Sequence, residues 1–201
     1  RALYLGVHLH AAGEHRQSIE PLLLGCRELL DDGRFAEAQR YVALLEEVLL
    51  GLVLPYEDRL WCEVWWLRSE TESRTGHFEG ARATCVLALQ WHANDRRFRY
   101  RLALSISYLG GVDESSAILQ GLIDTCSEAD AYPDLPMCYR GLGVNCQVRA
   151  DHEGALLNAR AARTLSEGKA APPDLAQMDI QIGAVLLGLH RLDEAEALMR
   201  S

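Results

Sequence analysis

Lysine is all but missing from these 201 residues: Lys169 stands alone, and Arg supplies the rest of a basic total of 20 set against 29 Asp and Glu. The formal charge of −9 argues against nucleic acid as a partner, because neutralising phosphates takes clustered basic residues in excess. Arg in place of Lys points to a GC-rich, bacterial coding sequence. Long apolar runs are missing too. Nothing approaches the roughly 18–20 residues that span a bilayer, and no apolar signal-peptide core follows Arg1. A cytoplasmic chain with no membrane partner is therefore expected. The start at Arg1, without Met, reads as a segment of a longer protein.

Spacings that carry chemistry are equally scarce. Cys26, Cys62, Cys85, Cys126, Cys138 and Cys146 include no C-x-x-C pair, so zinc and redox motifs lose support. Most sit among apolar helical positions, where a reduced thiol acts as a small hydrophobe, and free buried thiols are expected rather than disulfides. His8, His10, Glu14 and His15 cluster in sequence. Their two-residue spacing turns His8 and His10 to different helix faces, and Gly13 ends the helix before Glu14, so no metal is expected. Gly141, Leu142 and Gly143 begin like a dinucleotide fingerprint, but Cys146 occupies the third glycine position and no strand precedes it. Asp31 and Asp32 precede a turn, and Glu46 and Glu47 face apart on a helix. No catalytic residue and no cofactor follow from the sequence.

Strand-like alternation is nearly absent, whereas apolar residues recur at three and four in RLALSISYLGG and GALLNARAARTL, the period of a helix. Pro55, Pro133, Pro136, Pro172 and Pro173 fall in polar or irregular stretches and are read as inter-helix loops. Pro21 must either open a helix or kink one.

What the sequence does contain is a repeat. GRFAEAQRYVALL begins at Gly33 and a related stretch, ADHEGALLNARAA, at Ala150. With turns anchored at Gly13, Gly33, Gly76, Gly110, Ala150 and His190, the residues seven before are Gly6, Cys26, Ser69, Ala103, Gly143 and Gly183. Those five after are Ser18, Ala38, Ala81, Ser115, Ala155 and Ala195. All are small, and two antiparallel helices approach to about 8–10 Å only where the side chains at their crossing are small. Gly143 should therefore face Ala155. Bulkier groups are expected to fill the space between hairpins from two after the anchors (His15, Phe35, Phe78, Val112, His152, Leu192) and nine after (Leu22, Val42, Cys85, Leu119, Ala159, Met199).

This order of small, bulky and small positions resembles the tetratricopeptide repeat (TPR) family. Tyr139, Leu142, Gly143, Ala155 and Ala162 match it best in one unit, and Leu102, Ala103, Ile106, Ser115 and Leu122 in another. The resemblance implies an all-α, right-handed superhelical solenoid of antiparallel hairpins, about eleven helices in a single domain over residues 1–201. Anchor spacings of 20, 43, 34, 40 and 40 depart from the usual period of about 34. Extended loops are expected near Leu52–Asp58, Ser127–Asp134 and Ser166–Asp174. The 20-residue step leaves room for one helix, about Ile19 to Leu30, shared by two hairpins. Irregular units of this kind look like the helical sensor arrays of LuxR-type, maltose-activator-like ATPase regulators and of TPR-bearing kinases.

In the TPR family a second face of each first helix lines a groove. Carried over by position, that face holds Glu63, Trp66, Glu70, Ser73 and Arg74, then Arg97, Tyr100, Arg101, Leu104 and Tyr108, then Arg140, Val144 and Gln147, then Gln181 and Ala184. Arg forks suit carboxylates, and aromatic rings supply apolar contact area. Two functions fit ahead of an all-α enzyme such as a lipid-modifying one: a non-catalytic scaffold binding a protein or peptide with acidic groups or a free carboxylate, or a sensor array of a larger signalling ATPase, transcriptional regulator or kinase in which a small molecule, for instance an anionic one, or a peptide shifts the packing between units. Both expect Arg97, Arg101 and Arg140 to project into one concavity, with Arg101 and Arg140 facing solvent.

Overall fold

In a computed structural model, which describes residues 1–127 and 131–200, every regular element is an α-helix, and the described residues form eleven of them. The chain divides into two compact units, Arg1–Ser105 and Ile106–Ser201. The first holds α1 (Ala2–Ala11), α2 (His15–Asp31), α3 (Phe35–Gly51), α4 (Arg59–Arg74), α5 (Phe78–Trp91) and most of α6 (Arg96–Tyr108), within which the division falls. The second holds the end of α6, α7 (Val112–Asp124), α8 (Ala131–Val148), α9 (His152–Ser166), α10 (Pro172–Gly188) and α11 (Leu192–Arg200). In each unit, helices pack mainly on their neighbours along the chain, and α2 packs against both α1 and α3 as the shortened step requires.

The turn anchors share one backbone conformation. Gly13, Gly33, Gly76, Gly110, Ala150 and His190 all have positive φ, from 58° to 91°. At each, the anchor N–H bonds the carbonyl three residues back and the next N–H bonds the carbonyl five back, as in Gly13 to His10 with Glu14 to Leu9, and Ala150 to Gln147 with Asp151 to Cys146. Both bonds satisfy carbonyls left open by the preceding helix. Glycine reaches this conformation without a Cβ clash, whereas Ala150 and His190 adopt it at roughly 1–2 kcal/mol each. Val53, φ 53°, makes the same turn after α3. No sequence rule singles it out, since a β-branched residue is the least suited to that region.

The crossing positions are small because they are buried. Cys26, Ser69, Ala103, Ser18, Ala38, Ala81 and Ser115 have no exposed surface, and Gly6, Gly143 and Gly183 are buried with them. A Cβ built on Gly143 would lie 3.5 Å from the Ala155 carbonyl oxygen, so these two residues do face each other. Leu22, Val42, Cys85 and Leu119 fill the core as expected. The positions two after the anchors do not: Phe35, Phe78 and Val112 are half-buried, and His15, His152 and Leu192 are exposed. Each is the first residue of its helix, at the hairpin tip, where a side chain has solvent on one side. Ala159 is half-buried and Met199 exposed.

Several loop boundaries also shift. Residues 52–58 form a loop, but α8 already begins at Ala131 and contains Pro136; residues 128–130 lie outside the described residues. Pro172 and Pro173 start α10, where a missing N–H costs nothing because the first donors of a helix have no intrahelical partner. Pro21 neither opens nor ends a helix, and α2 continues through it. All six cysteines are free thiols, with Cys126 and Cys146 half-buried and the other four buried.

Candidate partner-binding grooves

In the first unit, the predicted face is built and then neutralised by its own carboxylates. Asp95 starts α6 by accepting the Arg97 backbone N–H at 2.9 Å, which aims the Arg97 side chain back at Asp95 (2.8 Å) and across to Glu63 of α4 (3.4 Å). Burial alone would push the Asp95 carboxyl up; the Arg97 guanidinium outweighs it and holds the carboxyl below its ordinary range. Glu63 also accepts from Arg27 of α2 at 2.8 Å. One turn further along, Arg101 pairs with Glu70, which Arg74 bonds at 2.9 Å. Trp66 lies between the two layers, its ring centroid 5.5 Å from the Arg97 guanidinium carbon and 5.2 Å from that of Arg101. Its edge meets Phe98 of the core at 6.0 Å.

Sequence reasoning assembled Glu63, Trp66, Glu70, Arg74, Arg97 and Arg101 on one face, but not their pairing. Only 12% of the Arg101 side chain is exposed, which corrects the expectation that it faces solvent. Tyr100 and Leu104 are half-buried. Arg27 and Asp95 were missed. A short polar residue before an apolar-periodic segment, here Asp95, is the usual signal of a helix start.

The second unit differs. Arg140, Val144 and Gln147 of α8 and Gln181 of α10 surround a groove of ≈ 110 Å³, floored by Met178 and Val185 and narrowed by Gly143, Ala155 and Ala159. Small residues at the α8–α9 crossing leave this space, because no side chain there is long enough to fill it. Among the described residues no carboxylate pairs with Arg140, and neither the Gln147 nor the Gln181 side-chain amide has a hydrogen-bond partner. Tyr108 is well exposed at the end of α6, and Ala184 is exposed on α10. A wider hollow of ≈ 370 Å³ lies along α9 and the α10–α11 turn, but its Arg160 and Arg191 already bond Glu194, at 3.0 and 2.6 Å.

Comparison of the whole chain with solved structures finds similar folds, among them these three. BtubC (BKLC) from P. vanneervenii superposes with a TM-score of 0.72 at 19% identity, covering 98% of this chain and 84% of that one. A kinesin-light-chain protein of Podosopora anserina with nearly identical TPR-like repeats gives 0.65 at 12% identity, covering 90% and 92%. The MamA RS-1 ArsTM double mutant gives 0.59 at 14% identity, covering 90% of each. The fold is that of a TPR-like helical repeat protein. No family model and no curated protein sequence matches the chain. The TPR-like hairpins account for the groove's position, since α8 and α10 are the first helices of successive hairpins and α9 lies between them in the chain. Among the described residues no three His, Cys, Asp or Glu converge as a metal site, and no helix is long and apolar enough to cross a membrane.

Proposed function

We propose that this chain is a non-catalytic scaffold that binds a protein or peptide partner through the α8–α10 groove, and that the partner presents an acidic side chain or a free carboxylate. The observation carrying this reading is Arg140, an exposed guanidinium without a carboxylate partner among the described residues, standing with two unengaged amides over an apolar floor. Arg140 supplies a charge-assisted fork, Gln147 and Gln181 supply donors and acceptors for a peptide backbone, and Val144, Met178 and Val185 take an apolar side chain. A volume of ≈ 110 Å³ suits one side chain, whereas small-molecule sites run to about 300–1,000 Å³. At this groove, that difference favours a peptide side chain over a metabolite.

The Arg97–Arg101 face takes the opposite role. Its guanidiniums are spent on Glu63, Glu70 and Asp95, so it braces α4 against α6 rather than meeting a partner.

A peptide-display library selected on the full chain should enrich acidic or carboxylate-terminated sequences. Arg140→Ala should weaken the enriched peptides by about 1.5–3 kcal/mol with little change in stability, while Arg101→Ala should lower stability by about 1–3 kcal/mol. Enrichment of uncharged peptides that bind Arg140→Ala as tightly as the parent would overturn the assignment.

A further inference from the structure

The α1–α2 turn brings together two histidines that the sequence separates by a helix break. Gly13, φ 81°, reverses the chain, and the Nδ1 atoms of His10 and His15 then lie 3.2 Å apart, with ring centroids at 5.0 Å and an interplanar angle of 53°. Two imidazole nitrogens bound to one ion at about 2.0–2.1 Å, with angles between square and tetrahedral, stand roughly 2.8–3.4 Å apart. Without an ion, one Nδ1–H donates to the other Nδ1. A cation at about 2.0–2.1 Å from both nitrogens sits to one side of the line that joins them, so binding needs each ring to turn its Nδ1 toward the ion while the nitrogens keep their separation.

We infer that His10 and His15 form a two-ligand site for a divalent transition ion of the imidazole-preferring class, which ties the end of α1 to the start of α2. Neutral imidazoles select zinc, nickel or copper over calcium or magnesium, which prefer oxygen. No third His, Cys, Asp or Glu of the described residues joins the pair, and Glu14 beside it accepts from Gln17 at 2.9 Å. The remaining positions go to water, and because His15 is exposed the open side faces solvent. His8 is close in sequence but packs its ring against Tyr4 at 4.1 Å, and it serves as the internal control.

The test uses Zn²⁺ alone, titrated into the full chain by calorimetry, with Ca²⁺ as the comparison ion and imidazole resonances followed by NMR. One equivalent of Zn²⁺ should bind and move two of the seven histidine ring signals together, and Ca²⁺ should do neither. His15→Ala, at an exposed position, should fold like the parent. It should weaken Zn²⁺ by more than the roughly tenfold that loss of even an outer-shell partner costs. His10→Ala should do the same, and His8→Ala should leave binding intact. The pair is a hydrogen bond and nothing more if Zn²⁺ fails to bind, if His15→Ala binds it like the parent, or if His8→Ala loses it equally.

Discussion

At the scale of single residues, burial decides the behaviour of the thiols. Cys26 and Cys85 are pushed up from the ordinary 9.0 to about 12 by desolvation, and Cys62 to about 11 by desolvation and its hydrogen bond to Asp95. Below pH 9 these thiols hold their protons whether the chain is folded or not. As pH rises past 9 the unfolded thiols ionise while the folded ones do not, so the unfolded state binds fewer protons and stability falls through the window up to about 11–12. The denaturation midpoint should therefore decline between about pH 9 and 11, with a smaller decline in Cys85→Ala. A midpoint that stays level over that range would show that the thiols are hydrated. Burial of these cysteines was legible from their apolar helical neighbours. The Cys62–Asp95 bond was not, because Asp95 lies 33 positions away in the chain.

Two glycines at the same repeat position make different demands on their helices. A Cβ on Gly6 would sit 2.8 Å from Leu22 Cγ and 2.9 Å from the Leu22 backbone nitrogen, which cannot swing aside, while the nearest atom at Gly143 is 3.5 Å away. Gly6→Ala should then destabilise by about 1–3 kcal/mol through overpacking. Gly143→Ala should gain most of the roughly 0.8–1 kcal/mol that alanine holds over glycine in a helix. Urea denaturation of both variants checks this, and equal losses would mean that close helix approach does not explain the repeat. The sequence identified both positions as small, but it could not rank them, since the difference between 2.8 and 3.5 Å in the α1–α2 and α8–α9 approach decides the outcome. It was silent on Asn145, buried in the second unit, which accepts from Ser107 at 2.6 Å and donates to Ser115 and Ser116 at 3.0 Å. An asparagine in a helical pattern reads as surface until three hydroxyls from two other helices are seen around it.

Over the whole molecule, helix contacts join chain neighbours and helices two apart in the chain, as in α2 with α4 and α4 with α6. Stability in such an array is close to a sum of local interface terms, so damage should stay local. In Gly6→Ala, amide hydrogen exchange should speed up in α1 and α2 and remain unchanged in α9 to α11. Uniform acceleration would instead describe a chain that opens only as one piece.

The sequence by itself determined the hairpin repeat, because its causes are short-range. A turn in the left-handed region favours glycine, and a helix crossing admits only small side chains, so both leave marks within twelve residues of Gly13, Gly33, Gly76 and Gly110. The resemblance to the TPR pattern also put Arg140, Gln147 and Gln181 on the groove-lining faces of α8 and α10, since the family pattern names the face and the helical period assigns residues to it. Only the tertiary structure decided which charges are spent. Glu63 and Glu70 meet Arg97 and Arg101 across more than thirty residues of chain, and nothing local separates those arginines from Arg140. The approach of His10 to His15 depends likewise on how far the Gly13 turn folds α1 back onto α2, a distance set by packing at Gly6 and Leu22 rather than by the histidines themselves.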